Sequence, residues 1–276
     1  MCCSAISLLT RAFCTPFHNV VYSQYAFIAY KIVSGAAGVR QREVPARGLE
    51  PDVDAMIAAC DADTRLLFLA NPNNPTGTWT PRADVERLLA EVPPHVLVVL
   101  DDAYTEYVDA PDCPSGLDLT GLRENLVVIR TFSKAFGLAG IRVGWGYAPA
   151  YVVDRVNRIR EPFNVGHIAQ AGAAAALADE AFLERTVKTN REERARVADA
   201  LRARGIEPAP SQTNFLLFPS PISGAALNQA LLQRGVIVRP MVPYGLPDHI
   251  RVSIGTPDEN DGFLAALDAV LAEAGA

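Results

Sequence analysis

Short apolar segments that alternate with helix-like segments constrain the fold of this chain more than any other feature of its sequence. The apolar segments are rich in Val, Leu and Ile, as expected for strands that are covered on both faces. The predicted strands are Val20–Tyr22, Leu66–Ala70, Val96–Leu100, Leu126–Arg130 and Ile141–Tyr147. Helices are predicted at Val53–Cys60 and Arg82–Glu91, the second with Thr80 as its N-cap and Pro81 in its first turn. This alternation predicts an α/β fold in which helices cover a mainly parallel sheet on both faces, giving three layers.

After Tyr147 the pattern changes to longer helices and fewer strands. The final helix opens with Thr256-Pro257-Asp258-Glu259, the sequence of a capping box. The other predicted helices are Tyr151–Arg160, Asp179–Arg204 and Ala225–Arg234, and the predicted strands are Thr213–Phe218, Val236–Arg239 and Ile250–Ile254. We therefore expect a large domain over residues 1–160 and a smaller C-terminal α+β domain over residues 161–276.

Composition narrows the class of protein. The 276 residues carry a net charge of −6 without a basic cluster, which argues against a nucleic-acid partner. No apolar run approaches the roughly 18 residues of a membrane helix. The five cysteines are odd in number and lack metal-ligand spacing, so we expect no metal site and a reduced, cytoplasmic protein. Segment 1–14 reads as an amphipathic helix rather than a signal peptide, because its basic residue, Arg11, follows the apolar stretch.

Lys134 lies in the polar, glycine-flanked segment Thr131–Gly137, between two predicted strands. Two hydroxyls precede this lysine and Arg142 follows it, which resembles an anion site beside an amine. An amine next to a phosphate site is the arrangement by which a lysine anchors pyridoxal phosphate (PLP) as a Schiff base. Taken alone, the segment is equally typical of a solvated lysine in a Ser/Gly loop.

Two further polar motifs follow predicted strands, and the carboxyl ends of parallel strands are where such sheets bind ligands. Asn71–Gly77 is a rigid turn that would present Asn74 in a fixed direction, although turn chemistry alone also explains it. Asp101 and Tyr104 follow Val96–Leu100. A carboxylate there needs a positive partner such as a protonated pyridine nitrogen, unless Asp101 or Asp102 caps a helix.

These motifs together supply the functions that PLP chemistry requires. Lys134 would be the anchor and the base that moves a proton at the substrate α-carbon. Asp101 would keep the ring nitrogen protonated, while Asn74 and Tyr104 would hydrogen-bond the ring 3-hydroxyl. Thr131, Ser133 and Arg142 would bind the phosphate, Arg142 as a forked donor.

The motifs Asn-Pro-Asn-Asn-Pro-Thr-Gly at 71–77, Asp-x-Ala-Tyr at 101–104 and Thr-Phe-Ser-Lys-x-Phe-Gly-Leu-Ala-Gly at 131–140 carry a family resemblance. The chain resembles fold-type I PLP-dependent aminotransferases of class I/II, and among them the histidinol-phosphate aminotransferases. Subfamily cues are the segments at 160–164, 238–240 and 250–255. The resemblance implies a homodimer that moves an amino group between a small amino donor and a phosphorylated keto acceptor, with glutamate and imidazole-acetol phosphate as the expected pair.

The resemblance also assigns three further residues. It places Phe27 on the face of the cofactor ring, with Tyr25 as the alternative. Arg251 matches an arginine for the anionic end of the substrate, and its alternating strand pattern supports that role. Arg239 matches a second arginine for the substrate phosphate, although a surface salt bridge would also account for it.

Relatives carry roughly a quarter more sequence before the segment that matches Met1, including a glycine-serine loop that binds phosphate at a helix N-terminus, by the same resemblance. Two alternative enzymes of this fold are an aromatic amino-acid aminotransferase and a phosphothreonine decarboxylase. A further hypothesis is a truncated remnant that folds without turning over substrate.

Overall fold

The computed structural model describes residues 2–275. The strands are β1 (Asn19–Ser23), β2 (Arg40–Val44), β3 (Thr64–Ala70), β4 (Leu97–Asp101), β5 (Leu126–Thr131), β6 (Gly144–Tyr147), β7 (Phe215–Pro219), β8 (Arg239–Met241) and β9 (Leu246–Ser253). The α-helices are α1 (Cys2–Phe13), α2 (Ala29–Ala36), α3 (Val53–Ala58), α4 (Arg82–Glu91), α5 (Ala150–Asn157), α6 (His167–Ala178), α7 (Glu180–Arg202), α8 (Gly224–Gln233) and α9 (Pro257–Ala274).

The larger sheet has the strand order β2-β1-β3-β4-β5-β6, in which the first five strands are parallel and β6 is antiparallel to β5. Side chains of β3 and β4 alternate between two separate cores. Leu66, Phe68 and Val99 face one core, whereas Leu67 and Val98 face the other. Because both faces are buried, these strands are continuous apolar runs. The predicted three-layer, mainly parallel α/β fold is confirmed.

The smaller sheet has the order β7-β9-β8 and is antiparallel throughout. Its core is built from β7, β9 and helices α7, α8 and α9. Along β9, Ile250 and Val252 are buried and Arg251 between them is only partly so, which is the predicted alternation. Helix α9 opens with the predicted capping box, in which Thr256 and Glu259 bond each other's backbone N–H groups. The boundary between domains at residue 160 stays a prediction.

Several local predictions were wrong. β2, α2 and α6 were not predicted; β2 is an edge strand with mostly polar residues, so it lacks the apolar signal of a buried strand. The strand predicted from Ile141 begins only at Gly144, because Arg142 adopts a left-handed conformation (φ 55°) after a 3-10 turn. Helix α4 has Pro81 as its N-cap without a side-chain hydrogen bond, and Thr80 Oγ1 does not cap it.

The amphipathic helix predicted near the start of the chain is confirmed by α1 over the part that the structure describes. Within residues 2–275, no helix is both long and apolar enough to cross a membrane.

Candidate active site

A cavity of about 190 Å³ opens at the carboxyl ends of β3, β4 and β5. Its lining residues are Phe27, Ala70, Pro72, Asn74, Asp101, Ala103, Tyr104, Thr131, Ser133, Lys134, Ala139 and Arg142. All eight residues predicted to bind a cofactor are in this set. Residues from four separate segments meet here because parallel neighbouring strands end at the same edge of the sheet.

The loop after β3 is held rigidly and presents Asn74 to the cavity. Asn71 accepts a hydrogen bond from the backbone N–H of Thr80 (2.8 Å) and donates to its carbonyl oxygen (3.2 Å). Gly77 has a φ of 82°, and a Cβ at this position would lie 2.6 Å from Ser211 Oγ, so only glycine fits. The loop therefore does more than turn the chain, because it fixes Asn74 at the cavity wall.

Asp101, the last residue of β4, is 3 % exposed, and both of its carboxylate oxygens accept hydrogen bonds. Oδ1 accepts from the backbone N–H of Ala103 (3.2 Å), and Oδ2 accepts from the Tyr30 hydroxyl (3.1 Å). The alternative in which Asp101 or Asp102 caps a helix is wrong, because a 3-10 turn with Tyr104 as N-cap follows and neither side chain caps it. A buried, hydrogen-bonded carboxylate thus lies in the cavity wall.

Asp102 belongs to a separate buried cluster. Its Oδ2 accepts from the backbone N–H of Gly116 (2.8 Å) and lies 3.4 Å from Arg130 Nη2. Burial raises the pKa of Asp102 to about 7, against the opposing effects of the Gly116 hydrogen bond and Arg130. Adjacent acidic residues therefore occupy different environments, and Asp101 is the one that lines the cavity.

Lys134 lies in the loop that follows β5, with its Nζ 5.1 Å from the centroid of the Tyr104 ring. Tyr104 is buried and packs edge-on against Phe215 of β7, with ring centroids 5.4 Å apart. Gly137 closes the loop by donating from its N–H to the Lys134 carbonyl oxygen, with a φ of 70°. Lys134 is thus a lysine of the cavity wall rather than a solvated loop lysine.

Three polar side chains gather on the wall formed by the Lys134 loop. Thr131 Oγ1 accepts from the backbone N–H of Ser133 (3.1 Å), which fixes the start of the loop. Arg142 donates from Nη1 to the Ala139 carbonyl oxygen (2.6 Å) and is exposed on its outer side. Two hydroxyls and a guanidinium in one wall are suitable ligands for a phosphate group.

The ring of Phe27 lines the cavity, whereas Tyr25 does not. Tyr25 has a φ of 57° and packs with Leu217, Met241 and Leu246 of the smaller sheet. Of the two aromatic residues considered for stacking on a cofactor ring, Phe27 is the one at the cavity.

Arg239 and Arg251 are paired across β8 and β9. Arg251 is partly buried, lies 4.6 Å from the Phe215 ring centroid and donates from Nη1 to Asn74 Oδ1. Burial and, to a lesser degree, the charge of Arg239 lower the pKa of Arg251. Arg239 is exposed, and no acidic side chain within residues 2–275 forms a salt bridge with it, so the salt-bridge alternative is not supported. Neither arginine lines the cavity: Arg251 reaches its wall through Asn74, and Arg239 lies on the strand paired with that of Arg251.

Four small or rigid residues of the lining were not predicted from the sequence: Ala70, Pro72, Ala103 and Ala139. The proline and the three alanines lie in or next to the polar motifs, but their side chains give no chemical signal of a binding site. Tyr30 was also missed. Its contact with Asp101 joins residues 71 positions apart, and nothing in the local sequence of α2 indicates it.

The sequence model of the class I and II aminotransferases matches residues 2–267, and the chain belongs to this family. It is 47 % identical over 267 residues to histidinol-phosphate aminotransferase 2 of Pseudomonas aeruginosa, covering 97 % of this chain and 72 % of that protein. It is 47 % identical over 269 residues to histidinol-phosphate aminotransferase 1 of Cupriavidus pinatubonensis, covering 96 % of this chain and 72 % of that protein. The crystal structure of histidinol-phosphate aminotransferase from Sinorhizobium meliloti with pyridoxal-5'-phosphate superposes with a TM-score of 0.90 at 29 % identity, covering 98 % of this chain and 75 % of that one.

Proposed function

We propose that this protein binds PLP and transfers the amino group of histidinol phosphate to 2-oxoglutarate, which yields imidazole-acetol phosphate and glutamate. The observation that carries the proposal is the convergence of Lys134, Asp101 and Arg142 on one cavity, with Arg251 at its side. The names of two relatives that are 47 % identical support the choice of substrate, and the bound ligand of the Sinorhizobium meliloti enzyme supports the cofactor.

The residues present fit PLP. Asp101 offers a buried carboxylate to the ring nitrogen, and Asn74 and Tyr104 stand at the cavity for the 3-hydroxyl. Phe27 offers an aromatic face, and the hydroxyls of Thr131 and Ser133 lie in the same wall as Arg142 for the phosphate. When bound, PLP supplies an electron-accepting ring and a carbonyl carbon that takes up the amino group.

Lys134 Nζ has two tasks in this proposal. It holds the cofactor covalently in the absence of substrate, and once released it moves a proton from the substrate α-carbon. Its position over the Tyr104 ring keeps the amine inside the cavity, 5.1 Å from the ring centroid. A general base placed in this way contributes about 10²–10⁴-fold to rate.

Arg251 and Arg239 account for substrate selection. The guanidinium of Arg251 is oriented by Asn74 and by the face of Phe215, so its remaining N–H groups can bind a carboxylate or phosphate in a fixed geometry. Arg239 adds a second positive charge from the paired strand. A phosphate dianion uses both charges, whereas a substrate with a single carboxylate needs one, which favours a phosphorylated substrate.

The proposal includes a homodimer in the cytoplasm. Large apolar side chains near α6 support an association surface, since Phe163 is 92 % exposed and Ile168 is 83 % exposed. Free thiols at Cys14, Cys60 and Cys113 suit a reducing compartment. Sedimentation velocity tests the assembly: a single species of monomer mass at micromolar concentration would contradict the dimer.

The cofactor and the reaction are tested together with two lysine variants. Purified protein is mixed with PLP, its visible absorbance is recorded after gel filtration, and glutamate formation from histidinol phosphate and 2-oxoglutarate is measured. Lys134→Ala should lose the absorbance of covalently held PLP and at least about 10²-fold in turnover. Lys188→Ala is the matched control, because Lys188 is 77 % exposed on α7 and pairs only loosely with Glu192 at 3.9 Å.

Three outcomes decide the proposal. Absorbance and turnover that are lost only in Lys134→Ala support it. Absence of PLP absorbance in the unmodified protein would overturn the cofactor assignment. The substrate assignment would be overturned if the protein takes up PLP but does not turn over histidinol phosphate. In that case turnover of aromatic amino acids, or release of carbon dioxide from phosphothreonine, would identify the alternative enzyme.

A further inference from the structure

The hydroxyl of Tyr30 donates a hydrogen bond to Oδ2 of Asp101 at 3.1 Å, from a side chain that is completely buried. Tyr30 lies on α2, whereas Asp101 is the last residue of β4. The ring of Tyr30 is stacked on Phe68 of β3, with centroids 4.7 Å apart and planes 8° from parallel. A stacked, fully buried ring cannot turn away from its partner without disturbing the core, so the donor is fixed in place.

The same tyrosine also supports the residue at the ring face of the cavity. Phe27 meets Tyr30 edge-on, with centroids 5.9 Å apart and planes 85° apart. Phe27 and Asp101 both line the cavity, and Tyr30 itself does not. Tyr30 therefore contacts two residues that line the cavity, Asp101 and Phe27, without lining it itself.

We propose that Tyr30 is a positioning residue for the cofactor: it fixes the Asp101 carboxylate toward the ring nitrogen and braces Phe27 against the ring face. This inference rests on the proposed function, because it concerns how PLP is held. A hydroxyl donor compensates part of the carboxylate charge and removes its freedom to rotate. With Oδ1 held by the Ala103 N–H, Tyr30 sets the plane of the carboxylate.

Tyr30→Phe removes only the hydroxyl and keeps the stacked ring. The matched control is Tyr22→Phe. Tyr22 is 4 % exposed and belongs to the same core, with its ring centroid 6.3 Å from that of Tyr30. Its hydroxyl donates to Gln41 Oε1 at 2.7 Å, away from the cavity. Each variant removes the hydroxyl of a buried tyrosine, but the Tyr22 bond is part-buried and neutral whereas the Tyr30 bond is buried and ends on a carboxylate. Tyr22→Phe should therefore lose some stability against urea, and Tyr30→Phe somewhat more.

The readouts are the rate at which bound PLP dissociates and the pH midpoint of its visible absorbance change. We expect Tyr30→Phe to release PLP about tenfold faster than Tyr22→Phe, the loss of one hydrogen bond to a charged group. The pH midpoint should rise in Tyr30→Phe alone, since the less compensated charge of Asp101 favours protonated groups in the cavity. A purely structural tyrosine would lower stability without moving that midpoint.

A double-mutant cycle tests whether Tyr30 acts through Asp101. In the Asp101→Asn background, adding Tyr30→Phe should change PLP release by less than about twofold. Equal PLP release and equal midpoints in Tyr30→Phe and Tyr22→Phe would overturn the inference while leaving the proposed function intact. Absence of PLP uptake by the unmodified protein would instead overturn the proposed function, and this inference with it.

Discussion

The guanidinium of Arg251 donates a hydrogen bond to the side-chain oxygen of Asn74, and this contact joins the smaller sheet to the loop that follows β3 of the larger one. The same guanidinium lies on the Phe215 ring, which packs against Tyr104 beside Lys134. A continuous series of side chains therefore connects the proposed substrate-binding arginine to the proposed base. The residue proposed to bind substrate and the residue proposed as the base are therefore held by one connected set of packed side chains.

Replacing Arg251 by Lys keeps the charge and removes the forked donor. We expect the KM for histidinol phosphate or 2-oxoglutarate to rise about tenfold or more, with PLP uptake unchanged, because an ammonium cannot bond Asn74 and the substrate in the same geometry. Steady-state kinetics measure the effect. Arg234→Lys is the control, because Arg234 follows the last residue of α8 and bonds the Ala230 carbonyl and Glu273. Identical KM values in both variants would count against the assignment.

Arg239→Ala tests the phosphate assignment separately. Arg239 is exposed at the strand paired with Arg251, so its removal should leave the fold and PLP uptake intact. The KM for histidinol phosphate should rise about tenfold, as for the loss of one charge-assisted contact. Binding of an amino donor without a phosphate should change much less. An unchanged KM for the phosphorylated substrate would refute the role given to Arg239.

Arg194 of α7 fixes the smaller sheet to the segment after β4. Its Nη1 donates to the Thr213 carbonyl oxygen (3.0 Å), and its Nη2 pairs with Asp109 (3.0 Å), with the side chain 8 % exposed. Arg194→Met should lower the free energy of unfolding by roughly 1.5–3 kcal/mol, because it removes the hydrogen bonds that a buried guanidinium donates to the Thr213 carbonyl and to Asp109.

The control for that variant is Arg191→Met. Arg191 pairs with the same Asp109 at 3.1 Å, yet its side chain is 56 % exposed. Replacing it should lower the free energy of unfolding by less than about 1 kcal/mol. Urea denaturation measures both, and equal losses of stability would show that burial at Arg194 does not matter.

Asp102 should make stability depend on pH. Burial raises the pKa of Asp102 from 3.8 to about 7 in the folded protein, so folding favours the protonated carboxyl. The raised pKa of Asp102 therefore contributes its whole stabilisation below about pH 4, where the carboxyl is protonated in both states. This stabilisation is lost as the pH rises to about 7. At about 1.4 kcal/mol per pKa unit, the free energy of unfolding should fall by a few kcal/mol over this pH range.

Asp102→Asn removes this titration while an amide oxygen can still accept from the Gly116 N–H. The difference in unfolding free energy between the variant and the unmodified protein should thus move in favour of the variant between pH 5 and pH 8. Asp199→Asn, at a side chain that is 76 % exposed, should give no such trend. A pH-independent difference for Asp102→Asn would contradict the prediction.

The sequence by itself determined the layered fold and the residues that would meet at the cavity. Apolar runs of β3, β4 and β5 are readable because both faces are buried, and each is followed by its polar motif. Since parallel neighbours end at the same edge, Asn74, Asp101 and Lys134 had to come together once the strands were recognised. Local sequence also carried the capping box of α9, because the two residues that form it are three positions apart.

Only the tertiary structure decided the contacts that depend on packing between distant elements. Edge strand β2 has mostly polar residues, and its place is set by backbone pairing with β1 rather than by its own pattern. Arg251 reaches Asn74 across 177 positions and Tyr30 reaches Asp101 across 71, so neither contact leaves a local periodicity in the sequence. Such contacts follow from how helices and sheets pack against one another, which a linear pattern of apolar and polar residues does not encode.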